Sequence, residues 1–237
     1  MGKSDVTVVL SKSEKEIIIN ENPRINVEIL PYVQSINDVK KGFIEKNDII
    51  FIGGFAHIPN EDAVLWFANE IFPLIKKEIP EIRFIVLGSH PTQKVLNLKI
   101  DDIIVTGYVQ DVSSYFQNAK VFIAPLRFGA GLKGKTVHAM SYGLPIVTTS
   151  IGAEGMNLKD REDVLIADDP IDFSNAVIEL YRNKSIWEKY SEKSFDYVRK
   201  NCTLEVAKEK IGTMIDRLLT NQISLDKGDE IFFHIGK

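Results

Sequence analysis

From Asp48 to Asp168 the chain repeats one unit: a short run with an apolar centre and no polar alternation, then a stretch with helical spacing. The runs are 49–54 (IIFIGG), 83–89 (RFIVLGS), 102–107 (DIIVTG), 121–126 (VFIAPL), 145–149 (PIVTT) and 163–168 (DVLIAD). A strand without polar alternation is buried on both faces, and strands that alternate with helices form a parallel sheet. The expected class is therefore α/β, a parallel sheet with helices on both faces. Predicted helices cover 62–77, where Val64, Phe67, Ile71 and Leu74 recur at spacings of three and four, then 92–99, 112–119, 135–142, 171–182, 185–201 and 204–219. Asp111 is the expected cap of the 112–119 helix, and Asp168-Asp169-Pro170 reads as the cap of the 171–182 helix. Ligands of such sheets bind beyond the carboxyl ends of the strands. Chemistry is thus expected after Gly53, Gly107, Leu126 and Thr149.

Composition sets the outer limits. With 237 residues, 44% of them hydrophobic and 26% charged, a core can form without disulfides or metals. A net charge of −4 gives no broad basic surface, so no nucleic-acid partner is expected. Cys202 is the single cysteine and suits a reducing compartment. No apolar run approaches the ~20 residues of a membrane helix, and the N-terminus lacks a signal-peptide pattern. A cytoplasmic location is expected.

The segment most loaded with chemistry is 127–138, RFGAGLKGKTVH. Gly129, Gly131 and Gly134 allow close backbone approach, and the loop opens into a helix whose free amides favour phosphate. Arg127, Lys133 and Lys135 add positive charge. This pattern points to a diphosphate cradle, with Thr136 in the same set. A competing reading exists, since GAGLKGKT (129–136) also satisfies the Walker A pattern and VLIAD (164–168) imitates a Walker B strand ending on Asp168. Against a P-loop nucleoside triphosphatase stand the short helix before Gly143-Leu144-Pro145 and three preceding strand–helix units that it leaves unemployed.

Three blocks resemble one family, the glycosyl transferases group 1: 52–75 (IGGFAHIPNEDAVLWFANEIFPLI), 124–156 (APLRFGAGLKGKTVHAMSYGLPIVTTSIGAEGM) and 166–180 (IADDPIDFSNAVIEL). The resemblance implies a GT-B architecture, in which two Rossmann-like domains face a cleft and the C-terminal one holds the nucleotide sugar. It also implies retaining transfer without a bound metal or cofactor, the substrate being a UDP- or GDP-linked sugar. On this sequence it makes Lys133, Lys135 and His138 the catalytic candidates. Gly53, Gly54, Gly107, Tyr108, Val109, Arg127, Gly129, Gly131, Gly134, Thr136 and Glu154 become the donor-binding set, and Asn60 caps or faces the cleft. The partner is a glycan or lipid-linked acceptor, and a lipid-linked one would bring the enzyme to a membrane surface.

Departures from the family pattern concern the charges. Two glutamates eight positions apart are usual around the loop, and Ala130 and His138 stand there instead. His138 can hydrogen-bond a ribose hydroxyl, or it packs against the sheet. Phe55 and Ala56 replace a usual Arg/Lys pair. These losses keep a non-catalytic, degenerate transferase open as an alternative. Trp66 and Phe67 read as helix core, and His57 as a loop residue without a role.

The ends complete the division into domains. Residues 1–47 resemble the last strand and helix of an N-terminal acceptor domain plus a linker (34–47), 48–220 form the donor domain, and 221–237 are a tail. Within the tail, EIFFHIGK (230–237) resembles the start of a sulfotransferase-like domain. Such a chain is expected to bind donor but to transfer little sugar alone, because no opposite wall orients the acceptor.

Overall fold

The computed structural model of the chain describes residues 4–98 and 102–225, with side chains described as far as Thr220. The tail segment 230–237 lies outside the described residues. The chain opens with a β–α–β unit: β1 (Thr7–Val9), α1 (Lys12–Glu21) and β2 (Val27–Ile29), the strands parallel with Thr7 opposite Val27. Ser11 and Glu14 cap α1 reciprocally, the Ser11 hydroxyl accepting the Glu14 amide and the Glu14 carboxylate accepting the Ser11 amide.

The main sheet has six parallel strands among the described residues: β3 (Asp48–Ile52), β4 (Arg83–Leu87), β5 (Ile103–Gly107), β6 (Ala119–Ala124), β7 (Ile146–Thr148) and β8 (Leu165–Ile166). Their spatial order is β5-β4-β3-β6-β7-β8. The chain therefore starts at the centre, builds outward to β5, then returns beside β3 and builds the other way. The connecting helices are α2 (Ile58–Trp66), α3 (Phe72–Glu78), α4 (Gln93–Leu96), α5 (Ser113–Asn118), α6 (Gly134–Met140) and α7 (Ser150–Ala153), and α8 (Pro170–Arg182), α9 (Lys184–Asn201) and α10 (Leu204–Leu225) follow.

Each central strand feeds two cores. In β3, Ile49 and Phe51 face α2, α3 and α8, where Phe67 packs against Phe84 (ring centroids 4.7 Å apart) and edge-on to Phe173. Ile50 faces α5, α6 and α9, with Phe116, Phe122, Val137 and Met140. This two-sided burial is why the runs carry no polar alternation. Trp66 and Phe67 are core, as expected from their spacing. Asp169 caps α8 by accepting the amides of Ile171 and Asp172.

The differences from expectation have local causes. The helix predicted from Asp62 begins at Ile58, since Pro59 fits a first turn. It is also broken by a π turn, Phe67–Ile71. Pro73 has no amide to donate and its ring crowds the carbonyl four residues back, so the chain widens and the Phe72 amide reaches Phe67 instead. The sixth strand is two residues, supplemented by one bridge between Asp160 and Val164. Asp111 lies just outside its helix, which Val112 precedes directly, yet its carboxylate accepts the Ser113 amide at 2.9 Å.

Residues 34–47 contain one 3₁₀ turn, Phe43–Glu45, and are otherwise irregular, but they are fastened to the sheet unit. The Gln34 amide donates to Cys202 and the Asn37 side chain to Ser141. Lys46, a charge in a polar stretch, is wholly buried. Its ammonium donates to the carbonyls of Phe116 (3.3 Å) and Gln117 (2.9 Å) at the end of α5. Burial, with Lys41 nearby, lowers its pKa to about 8.

The carboxyl ends of β3, β4 and β5 are laced together: Gly53 donates to Leu87, and Gly88 to Gly107. Gly88 has φ 158°, and a Cβ there would stand 1.8 Å from the Gly53 carbonyl oxygen. Gly88→Ala should therefore destabilise the chain by about 2–3 kcal/mol, read as a lower urea midpoint at unchanged slope.

Candidate functional site

The helices that follow β3 and β6 pack on opposite faces of the sheet, so a crevice opens between the two strand ends. On the β3–β5 side of it lies a cavity of about 210 Å³ lined by Gly53, Gly54, Gly88, Ser89, Tyr108 and Val109 among others. Four of the expected donor-site residues thus meet at one cavity. Gly107 stands just behind, at φ 73°, with its carbonyl taken by Gly88. The Tyr108 side chain is 76% exposed, a large ring left open at the rim. Gly88 and Ser89 are lining residues that the sequence reading did not select. The available signal was the glycine that ends the RFIVLG run.

Across the crevice, residues 127–134 form the glycine loop. Gly129 and Gly131 take φ 120° and 78°, which side-chain-bearing residues rarely adopt. Lys133 is buried and bends back on its own loop, donating to the carbonyls of Gly131 (2.7 Å) and Gly129 (3.4 Å). Burial lowers its pKa, and the exposed carboxylate of Glu154 opposes that shift. Lys135 lies in the first turn of α6, where backbone amides have no intrahelical acceptor. Its ammonium donates to the Asn60 side-chain oxygen and sits 4.7 Å from the Phe51 ring centre. Desolvation, then the like charge of Lys133, lowers its pKa to about 8.

The other candidates are engaged differently. Arg127 faces α2 in a two-pronged pair with Asp62 (2.9 and 2.5 Å), and its guanidinium lies 5.4 Å from the Trp66 ring centre. The Asp62 carboxylate raises its pKa. Thr136 is fully buried and its hydroxyl has no partner among the described residues. His138 packs edge-on to Phe116 and Tyr142, at 4.8 and 5.4 Å between centroids. Its buried Nε2 has no partner either, and desolvation lowers its pKa. Gly134 rests against Tyr32 from the segment before the strap. Asp168 is the acidic residue that the Walker alternative requires. It follows β8, two strands from β6, and its carboxylate accepts the amide and hydroxyl of Ser150 at 2.8 and 2.6 Å. Among the described residues no cluster of three His, Cys, Asp or Glu side chains is arranged to hold a metal, and no helix is long and apolar enough to cross a membrane.

Two outcomes follow from these contacts. Lys133→Ala should speed amide exchange across 129–133 while lowering global stability by only about 1 kcal/mol. Because the folded-state pKa of His138 is depressed, the unfolded chain binds more protons as pH falls through about 6.5, and stability is lost there. His138→Phe should flatten the decline in melting temperature between about pH 7 and pH 5.

With the geometry in view, similarity to known proteins can be read. Residues 46–183 match the family Glycosyl transferases group 1. Over 166 residues the chain is 29% identical to the poly(glycerol-phosphate) alpha-glucosyltransferase of Bacillus subtilis (strain 168), taking in 66% of this chain and 24% of that protein. Over 163 residues it is 25% identical to an uncharacterized 44.6 kDa protein in the cps region of Klebsiella pneumoniae, 65% of this chain and 42% of the other. A structure of an S. aureus TarM mutant in complex with fondaparinux, alpha-GlcNAc-glycerol and UDP aligns at a TM-score of 0.75 and 15% identity, over 90% of this chain and 44% of that one. The chain thus spans less than half the length of each. Its fold is the Rossmann-like α/β fold of the GT-B glycosyltransferases. Since the family match covers more than half of its residues, the chain belongs to the glycosyl transferases group 1.

Proposed function

We propose that this chain carries the donor half of a GT-B glycosyltransferase. In this reading 48–220 is the C-terminal domain and binds a UDP- or GDP-linked sugar. Residues 1–47 end an N-terminal domain that holds a glycan or lipid-linked acceptor, and transfer proceeds with retention and without a metal. The observation that carries the reading is adjacency: the cavity at Gly53, Gly54, Tyr108 and Val109 is joined through Asn60 to the ammonium of Lys135. A base and ribose fit the first part, and a diphosphate the second.

In the transfer step the bond from the sugar's anomeric carbon to the diphosphate breaks, and both electrons leave on the phosphate oxygen. The acceptor hydroxyl oxygen bonds to that carbon on the face the diphosphate leaves and passes its proton to the departing phosphate oxygen. Lys135, Lys133 and the amides of the glycine loop offset the charge that develops on the leaving group, which is the electrostatic form of catalysis. His138, kept neutral, is the residue that the family pattern assigns to the ribose hydroxyls. Support for the donor class comes from the UDP in the TarM complex, and for the acceptor class from the alpha-GlcNAc-glycerol in that complex and the polymer named for the poly(glycerol-phosphate) alpha-glucosyltransferase.

A thermal-shift panel of UDP, GDP, ADP and ATP, with and without magnesium, tests this. UDP or GDP at about 100 times its Kd should raise the melting temperature by about 5 °C or more without metal, and Lys135→Ala should remove the shift. Stabilisation confined to ATP with magnesium would instead mark a P-loop nucleotide site.

A further inference from the structure

The side chain of Asn60 sits where three segments of the site meet. It lies in the first turn of α2 and is 5% exposed. Its Nδ2 donates to the Gly54 carbonyl at 2.8 Å, and its Oδ1 accepts the Lys135 ammonium from α6. It also lies directly over Gly53, where a Cβ would fall 2.7 Å from Asn60 Cγ. A backbone carbonyl can only accept, so the Gly54 contact fixes the amide nitrogen and turns the oxygen toward Lys135.

We propose that Asn60 is the positioning residue for Lys135, a neutral acceptor that holds the ammonium at the diphosphate cradle without cancelling its charge. The proposal rests on the donor-site reading above. Its force comes from the contrast with Arg127, whose charge is already matched by Asp62. Around Lys135, α2 contributes the uncharged Asn60, β3 the Phe51 ring and the glycine loop the like-charged Lys133, while Glu154 acts on Lys133. Among the described residues no carboxylate pairs with Lys135. An amide in this position orients the charge, whereas a carboxylate would consume it.

Without a bound anion Lys135 holds its proton loosely, at about pH 8, and an anion in the cradle tightens it. Donor affinity is full below that pH and falls as pH rises through it, with proton uptake on binding above it. A diphosphate is already ionised and the base still neutral near pH 8, so a change centred there belongs to the protein.

The experiment follows UDP binding, with GDP as second probe, by calorimetry from about pH 6.5 to pH 9.5. It compares the wild-type chain with Asn60→Asp and Asn60→Ala, with circular dichroism confirming that each is folded. Asn60→Asp should bind about tenfold more weakly at pH 7 and move the alkaline fall upward, because its carboxylate cancels and retains the proton. Asn60→Ala should move the fall to lower pH. Folded variants with wild-type affinity and an unshifted profile overturn the proposal. A measurement on the wild type decides the matter even if both variants misfold. The Asn60 side-chain amide resonance should titrate near pH 8 in the free chain and shift upward when UDP is bound, and a flat resonance overturns the proposal. If neither nucleotide binds, the donor-site reading fails, while the free-state titration still decides whether Asn60 and Lys135 are coupled.

Discussion

β3 and β6 lie side by side in the sheet, yet the chain leaves them toward opposite faces, β3 into α2 and β6 into α6. Their exits must diverge, and backbone cannot fill the gap between them without leaving polar groups unmatched. The candidate site residues are arranged around that gap. The glycine strand ends form one wall, the glycine loop the other, and the first turns of α2 and α6 aim their side chains inward. The crevice is a consequence of winding direction, established before any residue in it is specified.

What fills the gap electrostatically is graded rather than uniform. Arg127 is matched by Asp62, Lys133 is turned on its own loop carbonyls, and Lys135 is held by an amide. Of the three, Lys135 is the one that burial perturbs most, with no carboxylate acting on it. Carrying such a charge away from water is unfavourable on its own, which is why the proton is loosely held. The same desolvation strengthens any later attraction to an anion, because less solvent screens it. On the proposed donor reading, an unfavourable feature of the fold thus becomes a source of affinity for an anion.

The fold was legible in the sequence because burial on both faces removes polar alternation, and this holds for Ile49–Phe51 and Val121–Ala124 alike. Local chemistry that is complete within a few residues was legible too, as at the Asp169 cap. The cavity residues Gly53, Gly54, Tyr108 and Val109 could be placed because strand ends locate them. What escaped depends on partners distant in the chain. Asn60 meets Lys135 across 75 positions, and Arg127 meets Asp62 across 65, so neither pairing leaves a mark in local spacing. Lys46 escaped for a related reason: a lysine in a polar stretch reads as solvated until the end of α5 supplies carbonyls 70 positions away.

That buried lysine has a mechanical side. Lys46, Asn37 and Gln34 weld the 34–47 strap to α5, α6 and α9, while the Leu30 amide is tied back to β1 through Val9. A connector pinned at both ends has little slack to give. The leading β–α–β unit is joined to the main sheet unit by Pro31–Val33 on one side and by α10 on the other, whose Arg217 reaches Glu28 at 2.7 Å. Tyr32, which lies in the first of these joints, touches the glycine loop at Gly134, so the seam between the two units runs beside the crevice.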